Sequence, residues 1–253
     1  MNDIHTHILY GIDDGSKSYE ESVKLLKEME ELGIKNIVLT PHYIIGTNYN
    51  SSNKEKKQLL EKLQKNTNIK LYLGNETFID NDILAYIDKK FISTLNNTKY
   101  LLMEFPLNER SNYMYDIIFN LKDKGITPII AHPERYRYLK IEDFIKLIDM
   151  GCLFQMNITS LIDKYGKRVR KNALLLIKKH MVHVIGTDTH NHVLDINKGL
   201  SILRHMVDYD MYNDIVYENF NKIISNKKVE PYEIIKTNKL FGREKIKWNI
   251  EEF

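Results

Sequence analysis

Short apolar runs alternate along this chain with longer segments in which apolar residues recur every three or four positions, the βαβα pattern of parallel strands covered by helices. The first run is Asp3–Leu9. Ser18 and Glu21 then have capping-box spacing, Val23, Leu25, Leu26, Met29 and Leu32 form an apolar stripe, and Gly33 ends it, which predicts a helix from Ser18. NIVLT (36–40) and LYL (71–73) read as the second and third strands, with helix-like EKKQLLEKLQK between them. YLLME (100–104) is the fourth. Helix-like YDIIFNLKDK stops at Gly125 before TPIIA (127–131), FIKLIDM and Gly151 precede LFQMN (153–157), and HVIGTD (183–188) makes a seventh strand. Beyond it the pattern is helical and becomes less regular after about residue 225. No low-complexity linker, Pro/Gly-rich hinge or repeat divides the chain, so the expected organisation is one α/β domain over 1–253 with a helical C-terminal extension from about 225.

Composition changes this picture little. A formal net charge of +3 is small beside 37 basic and 34 acidic residues, so no long-range field favours nucleic acid or an anionic membrane as partner. The run KEKK at 54–57 reads as a solvated helix face. Cys152 is the only cysteine and cannot close an intramolecular disulfide, and the opening MNDIHTH has neither the basic nor the apolar region of a secretion signal. No stretch approaches the roughly 18 apolar residues of a membrane span. A cytoplasmic protein without membrane insertion is expected.

The chemistry lies where the apolar runs stop. Their ends carry His5 and His7, His42, Glu76, Glu104, His132, Asn157, and Asp188 with His190. Barrel enzymes gather reacting groups at the carboxyl ends of parallel strands, so residues distant in sequence converge there. Strand alternation places Asp3, His5 and His7 on a shared face, as it does Asp188 and His190, so that both sets could grip one ion. Any one of these residues alone is ordinary surface or core material, but jointly they predict a metal site. Imidazole and carboxylate without thiolate suit Mn, Fe or Zn, and do not select among them. His180 and His205 read as structural, and His183 and His192 carry no ligand assignment.

The segments DIHTHILYGIDDGSKSYEES, LTPHY, GNE, LLMEF, IIAHPERY and VHVIGTDTHN resemble, in order, the motifs of the polymerase-and-histidinol-phosphatase (PHP) superfamily. Within it they are most similar to the bacterial manganese-dependent tyrosine phosphatases of capsule and exopolysaccharide operons, the CpsB/CapC/YwqE type. The similarity runs from residue 1 to about 225. DxHxH is superfamily-wide, whereas IDDGSKSxEES with AHPERY and DTHN is more specific to this branch. The resemblance implies a distorted (β/α)7 TIM-like barrel, the strand number reached above, holding three divalent metals, manganese foremost. Carried over by motif, His5, His7, Glu76 and Asp188 would hold the first ion, Glu76, Glu104 and His132 the second, and Asp14, His42 and His190 the third. Carboxylates at Asp14 and Glu104, where many superfamily members have histidine, favour the phosphatase branch. Whether Asp13 or Asp14 fills the third-ion role is open in the sequence, since Asp-Gly is also a turn signal.

The implied activity is hydrolysis of phosphotyrosine on proteins, with a tyrosine kinase of capsule synthesis as the expected substrate. A metal-bridging hydroxide would attack phosphorus in line, and Arg135 of HPER would clamp the phosphoryl oxygens. The bland alternative for Arg135 is a salt bridge to Glu134 or a neighbour. A phenolate leaving group, of pKa near 10, needs little acid assistance; Asp13 and His192 are the candidates for what assistance there is. Family members often carry an arginine soon after DxHN, and here DTHNHVLDINKG has none; Lys198, Arg168 or Arg170 are the possible substitutes. Cysteine-based phosphatases place an arginine six residues after the nucleophile, but here Ile158 stands at that spacing from Cys152, so the thiol reads as buried. GxxxxGK[ST] and GxGxxG do not occur. Alternatives on the same scaffold are a histidinol-phosphate or other small-molecule phosphatase and a PHP-type exonuclease; outside enzymes, a metal-stabilised binding module.

Overall fold

Each predicted apolar run contains a parallel strand, and two of the runs continue past a shared interruption. The computed structural model describes residues 1–235. Its strands are β1 (Asn2–Thr6), β2 (Asn36–Leu39), β3 (His42–Tyr43), β4 (Lys70–Leu73), β5 (Glu76–Phe78), β6 (Tyr100–Glu104), β7 (Thr127–Ala131), β8 (Leu153–Asn157) and β9 (Val184–Gly186). The pairing Asn36↔Lys70 of β2 and β4 and the pairing His42↔Glu76 of β3 and β5 have the same register offset. β3 and β5 are therefore continuations of β2 and β4, displaced at Thr40–Pro41 and Gly74–Asn75, where Pro41 has no N–H to give the ladder. The order β1-β2-β4 joins β3-β5-β6-β7-β8-β9 through these continuations. A parallel bridge Thr6↔Thr189, with Asp188 N–H donating to His5 O at 2.9 Å, brings β9 back to β1. With each interrupted strand counted once, this is the expected seven-stranded distorted barrel.

Between the strands run α1 (Tyr19–Glu31), α2 (Asn53–Gln64), α3 (Ile83–Asp88), α4 (Met114–Asp123), α5 (Ile141–Asp149) and α6 (Lys167–Lys178), followed by α7 (Ile196–Met206), α8 (Tyr209–Asn213), a π turn (Asp214–Glu218) and α9 (Asn219–Ile224). Ser18 caps α1 by accepting the Glu21 N–H at 3.2 Å, while the Glu21 carboxylate takes the Lys17 N–H at 2.6 Å rather than completing the box on Ser18. Leu25, Leu26 and Met29 bury the predicted stripe. The larger apolar core lies between helices and strands; a smaller one, with Ile4, Val38, Leu102, Ile129, Leu153 and Val184, fills the barrel interior and is closed by Phe220 and Ile223 of α9.

Three expectations are corrected. The first strand ends at Thr6, and its register with β2 slips by one residue between Asp3 and Thr6. This bulge lets Ile4 join the inner core while the adjacent His5 also turns toward the site, so simple alternation does not describe residues 3, 5 and 7. Within KEKK, Lys56 is fully buried; its ammonium donates to Asn75 Oδ1 at 2.5 Å and Ser93 Oγ at 2.9 Å, and burial lowers its pKa to about 7. The segment from about 225 carries no helix over 226–235, where Asn226 takes a left-handed conformation (φ 56°) and Pro231 follows; the rest of that extension lies outside the described residues.

Gly186 ends β9 against β1, and a Cβ there would lie 2.7 Å from the His5 Cβ and 3.0 Å from Gln155 Nε2. Gly186→Ala is expected to destabilise the fold by about 1–3 kcal/mol through overpacking, measured as a shift in chemical denaturation midpoint.

Candidate metal centre

At the carboxyl end of β1, Gln155 Oε1 and the Asp13 carboxylate accept from the Nδ1 atoms of His5 (2.8 Å) and His7 (2.7 Å). The amide of Gln155 is oriented by its own donation to Asn157 Oδ1 at 2.9 Å, and a carboxylate can only accept, so both imidazoles give their Nδ1 protons outward. Their Nε2 atoms then face one another at 3.1 Å. Both stand 3.2 Å from Glu76 Oε2, and 3.7 and 3.6 Å from Asp188 Oδ1. Such an arrangement of buried acceptors is stable only with positive charge among them.

The cluster extends on both sides of Glu76. Glu76 Oε2 lies 3.1 Å from His42 Nδ1, and Oε1 lies 3.0 Å from His132 Nε2, which is also 3.5 Å from Glu104. On the more open side, Asp14 Oδ1 stands 3.5 Å from Nε2 of both His42 and His190. His190 Nδ1–H donates to the Asp188 carbonyl at 3.0 Å, which turns its Nε2 toward Asp14. Three groups bring ligand atoms within one coordination distance range: His5, His7 and Glu76; His42, Glu76 and Glu104; and His7, Asp14, His42 and His190. His7, His42 and Glu76 each belong to two, so the groups form a connected series. Among the described residues the buried Nδ1 of His42 makes no hydrogen bond although it lies beside Glu76 Oε2, as expected of a ring nitrogen reserved for another ligand. Imidazole and carboxylate donors in this arrangement fit divalent transition metals.

The electrostatics follow from crowding. Burial alone would raise Asp188 and Glu76, but the neighbouring imidazoles, His5 first, hold both well below the usual carboxylate range. Glu104 is pushed up to about 8, by burial first and then by Glu76. Asp14, hydrogen-bonded to His190, is held down near 2. Burial opposes charge on His5 and His7, yet the surrounding carboxylates raise both. The Glu104 carboxyl thus holds a proton near neutral pH that a cation must displace.

All nine sequence-derived ligand candidates meet in this cluster. The geometry also separates the two adjacent aspartates. Asp13 is committed to His7 Nδ1, to the Gly15 N–H at 2.9 Å and to the His42 N–H at 3.0 Å, whereas the Asp14 carboxyl faces His42 and His190. Asp13 is thereby unavailable as an acid for a leaving group, and His192 is exposed, hydrogen-bonded to Asn191 at 2.6 Å. Asp3 supports from behind, accepting from Thr187 N–H and Oγ1–H and from His5 N–H. Arg135 Nη1 pairs with Asp188 Oδ2 at 3.1 Å, not with Glu134, which is buried and accepts from Asn157 N–H and Ser160 Oγ–H. Arg168 donates to the Arg135 carbonyl and Arg170 pairs with Asp163, so their guanidinium groups are occupied beside the site rather than in it; Lys198 is exposed on α7. His183 accepts the Phe154 N–H at 3.0 Å within the core. Sequence reasoning missed Gln155 and Tyr165. Gln155 sits two residues before Asn157 on β8, a same-face position that alternation could have supplied, but the loop position of Tyr165 gave no signal.

A family model described as capsular polysaccharide synthesis, CpsB/CapC, matches residues 1–225. The Staphylococcus aureus protein CapC is 37% identical over 76% of this chain and 77% of its own length. The tyrosine-protein phosphatase CpsB of Streptococcus agalactiae is 32% identical over 89% of this chain and 99% of its own. A solved structure from work on YwqE of Bacillus subtilis and CpsB of Streptococcus pneumoniae, described as unique metal-dependent tyrosine phosphatases, superposes with a TM-score of 0.86 at 27% identity, covering 94% of this chain and all of that one.

Titrating Mn into the chelator-treated chain at pH 7 is expected to release protons and to bind more tightly as pH rises toward 8, because the Glu104 carboxyl must lose its proton. Calorimetry in buffers of different ionisation enthalpy reads this directly. Asp13→Asn, which loses the carboxylate on His7, is expected to weaken binding about 10–100-fold.

Proposed function

Because the chain belongs to the CpsB/CapC family, we propose that it is a metal-dependent phosphomonoesterase acting on phosphotyrosine in proteins, with a tyrosine kinase of capsule synthesis as its substrate. The observation that carries this reading is the convergence of the His5 and His7 Nε2 atoms on Glu76 and Asp188, which provides a site for divalent cations rather than for a covalent nucleophile. We assign His5, His7, Glu76 and Asp188 to one ion, Glu76, Glu104 and His132 to a second, and Asp14, His42 and His190 to a third, with manganese as the metal. Bound divalent cations supply Lewis acidity toward the phosphoryl oxygens and make water nucleophilic at neutral pH.

The chain's own groups orient the ester. Arg135 uses one guanidinium nitrogen on Asp188 and packs over the Tyr165 ring, 4.7 Å from Cζ to the ring centroid, which fixes the plane of the fork. Among the described residues its remaining N–H groups have no hydrogen-bond partner, which leaves them to grip two phosphoryl oxygens and the charge that grows on them. Phenolate departs without a strong acid, consistent with the full hydrogen-bond commitment of Asp13. Cys152 is buried behind β8 with its thiol pushed up to about 12 by burial, so thiolate chemistry has no support here.

The direct test compares a phosphotyrosine peptide, a phosphoserine peptide and histidinol phosphate with chelator-treated protein, each with Mn restored. Turnover is expected for phosphotyrosine and only with the metal. Inactivity on all three sinks the enzyme reading, and a preference for histidinol phosphate moves the substrate to the small-molecule class. In the same assay Arg135→Lys, which keeps charge but not the fork, is expected to lose about 100-fold in kcat/KM, whereas Cys152→Ser retains most activity.

A further inference from the structure

After β8 the chain passes through the 3-10 turn Ile158–Ile162 into a tight turn in which Asp163 (φ 62°) and Gly166 (φ 86°) are both left-handed and the Gly166 N–H donates to Asp163 O at 3.0 Å. Lys164 and Tyr165 lie between them and are therefore held at the lip of the site. Tyr165 is anchored inward: its hydroxyl donates to Asp188 Oδ2 at 3.1 Å and accepts from Asn157 Nδ2 at 3.3 Å. Its ring is bordered by two cations, Arg135 Cζ at 4.7 Å and Lys164 Nζ at 4.9 Å from the centroid. Among the described residues Lys164 has no ion pair or hydrogen bond, and the adjacent Asp163 is taken by Arg170.

We propose that Lys164 is a second cationic contact for the phosphoryl group, placed beside Arg135 on the ring of Tyr165. Two cations that share one ring repel each other, and the carboxylate that pairs with Arg135, Asp188, already serves Asn157, Tyr165 and the imidazoles as well. A dianion entering beside Arg135 supplies the missing negative charge. Burial first lowers the Lys164 ammonium from its usual range, with Asp188 opposing and Arg135 adding to that shift, in keeping with a place at the lip beside both. As a flexible point charge, Lys164 would draw and hold the anion while the planar fork of Arg135 sets its orientation. The proposal rests on the phosphomonoesterase reading, but its test does not need turnover.

The test measures binding of inorganic phosphate to the Mn-loaded protein by calorimetry, for wild type, Lys164→Ala and Lys164→Arg, alongside KM and kcat for phosphotyrosine peptides with neutral and acidic flanks. Lys164→Ala is expected to weaken phosphate binding about tenfold and to raise KM equally for both peptides, with bound Mn unchanged and Lys164→Arg restoring most of the loss. Phosphate binding identical in wild type and Lys164→Ala overturns the proposal, as does a loss confined to the acidic-flanked peptide. If phosphotyrosine is not hydrolysed at all but phosphate still binds tenfold less tightly to Lys164→Ala, the function reading falls and the place of Lys164 stands.

Discussion

Everything at the carboxyl end of this barrel depends on forcing two imidazole nitrogens and two carboxylates to point at one place. Left free, His5 and His7 would turn their Nε2 atoms apart; they do not, because Gln155 and Asp13 hold the opposite ring nitrogens. Several otherwise unrelated features follow from that demand. The bulge in β1 re-aims His5. Gly186 leaves room for it. The breaks at Thr40–Pro41 and Gly74–Asn75 carry β3 and β5 onward, so that His42 and Glu76 pair in register at the site. Such concentrated charge is costly to bury, and positive charge among the donors is what reconciles it with complete burial.

The degree to which this was legible in the sequence depended on whether a residue's position followed from the strand period. The seven strands, the α1 stripe and the meeting of strand-end residues all follow from periodicity and from the convergence of parallel strands at one end. The bulge did not, because one inserted residue changes the register without leaving a mark in the apolar pattern. Lys56 escaped for a different reason. Charge runs are normally solvated, and only the fold brings Asn75 and Ser93 from distant segments to satisfy a buried ammonium. Asp13 and Asp14 were indistinguishable in a turn motif; hydrogen-bond direction separates them, sending one to the back of His7 and the other to the front of His42 and His190. Tyr165 lies in a loop, where sequence pattern says nothing about direction.

Asp188 joins the two halves of the site. Its Oδ1 faces His5 and His7, while its Oδ2 accepts from Arg135, Asn157 and Tyr165. The carboxylate therefore has one oxygen among the cation-holding donors and the other among the groups that would meet the substrate. Changing the positive charge on the Oδ1 side changes how strongly Oδ2 attracts the Arg135 guanidinium, since both oxygens share one delocalised charge. A divalent cation held by His5, His7, Glu76 and Asp188 would reduce the carboxylate's pull on Arg135 and leave its fork freer for an incoming anion. In the proposed enzyme, loading of the centre and readiness of the clamp would thus be linked through this one side chain. That linkage also explains why Tyr165 is useful under the guanidinium: its ring keeps the fork in place when the carboxylate's pull is reduced.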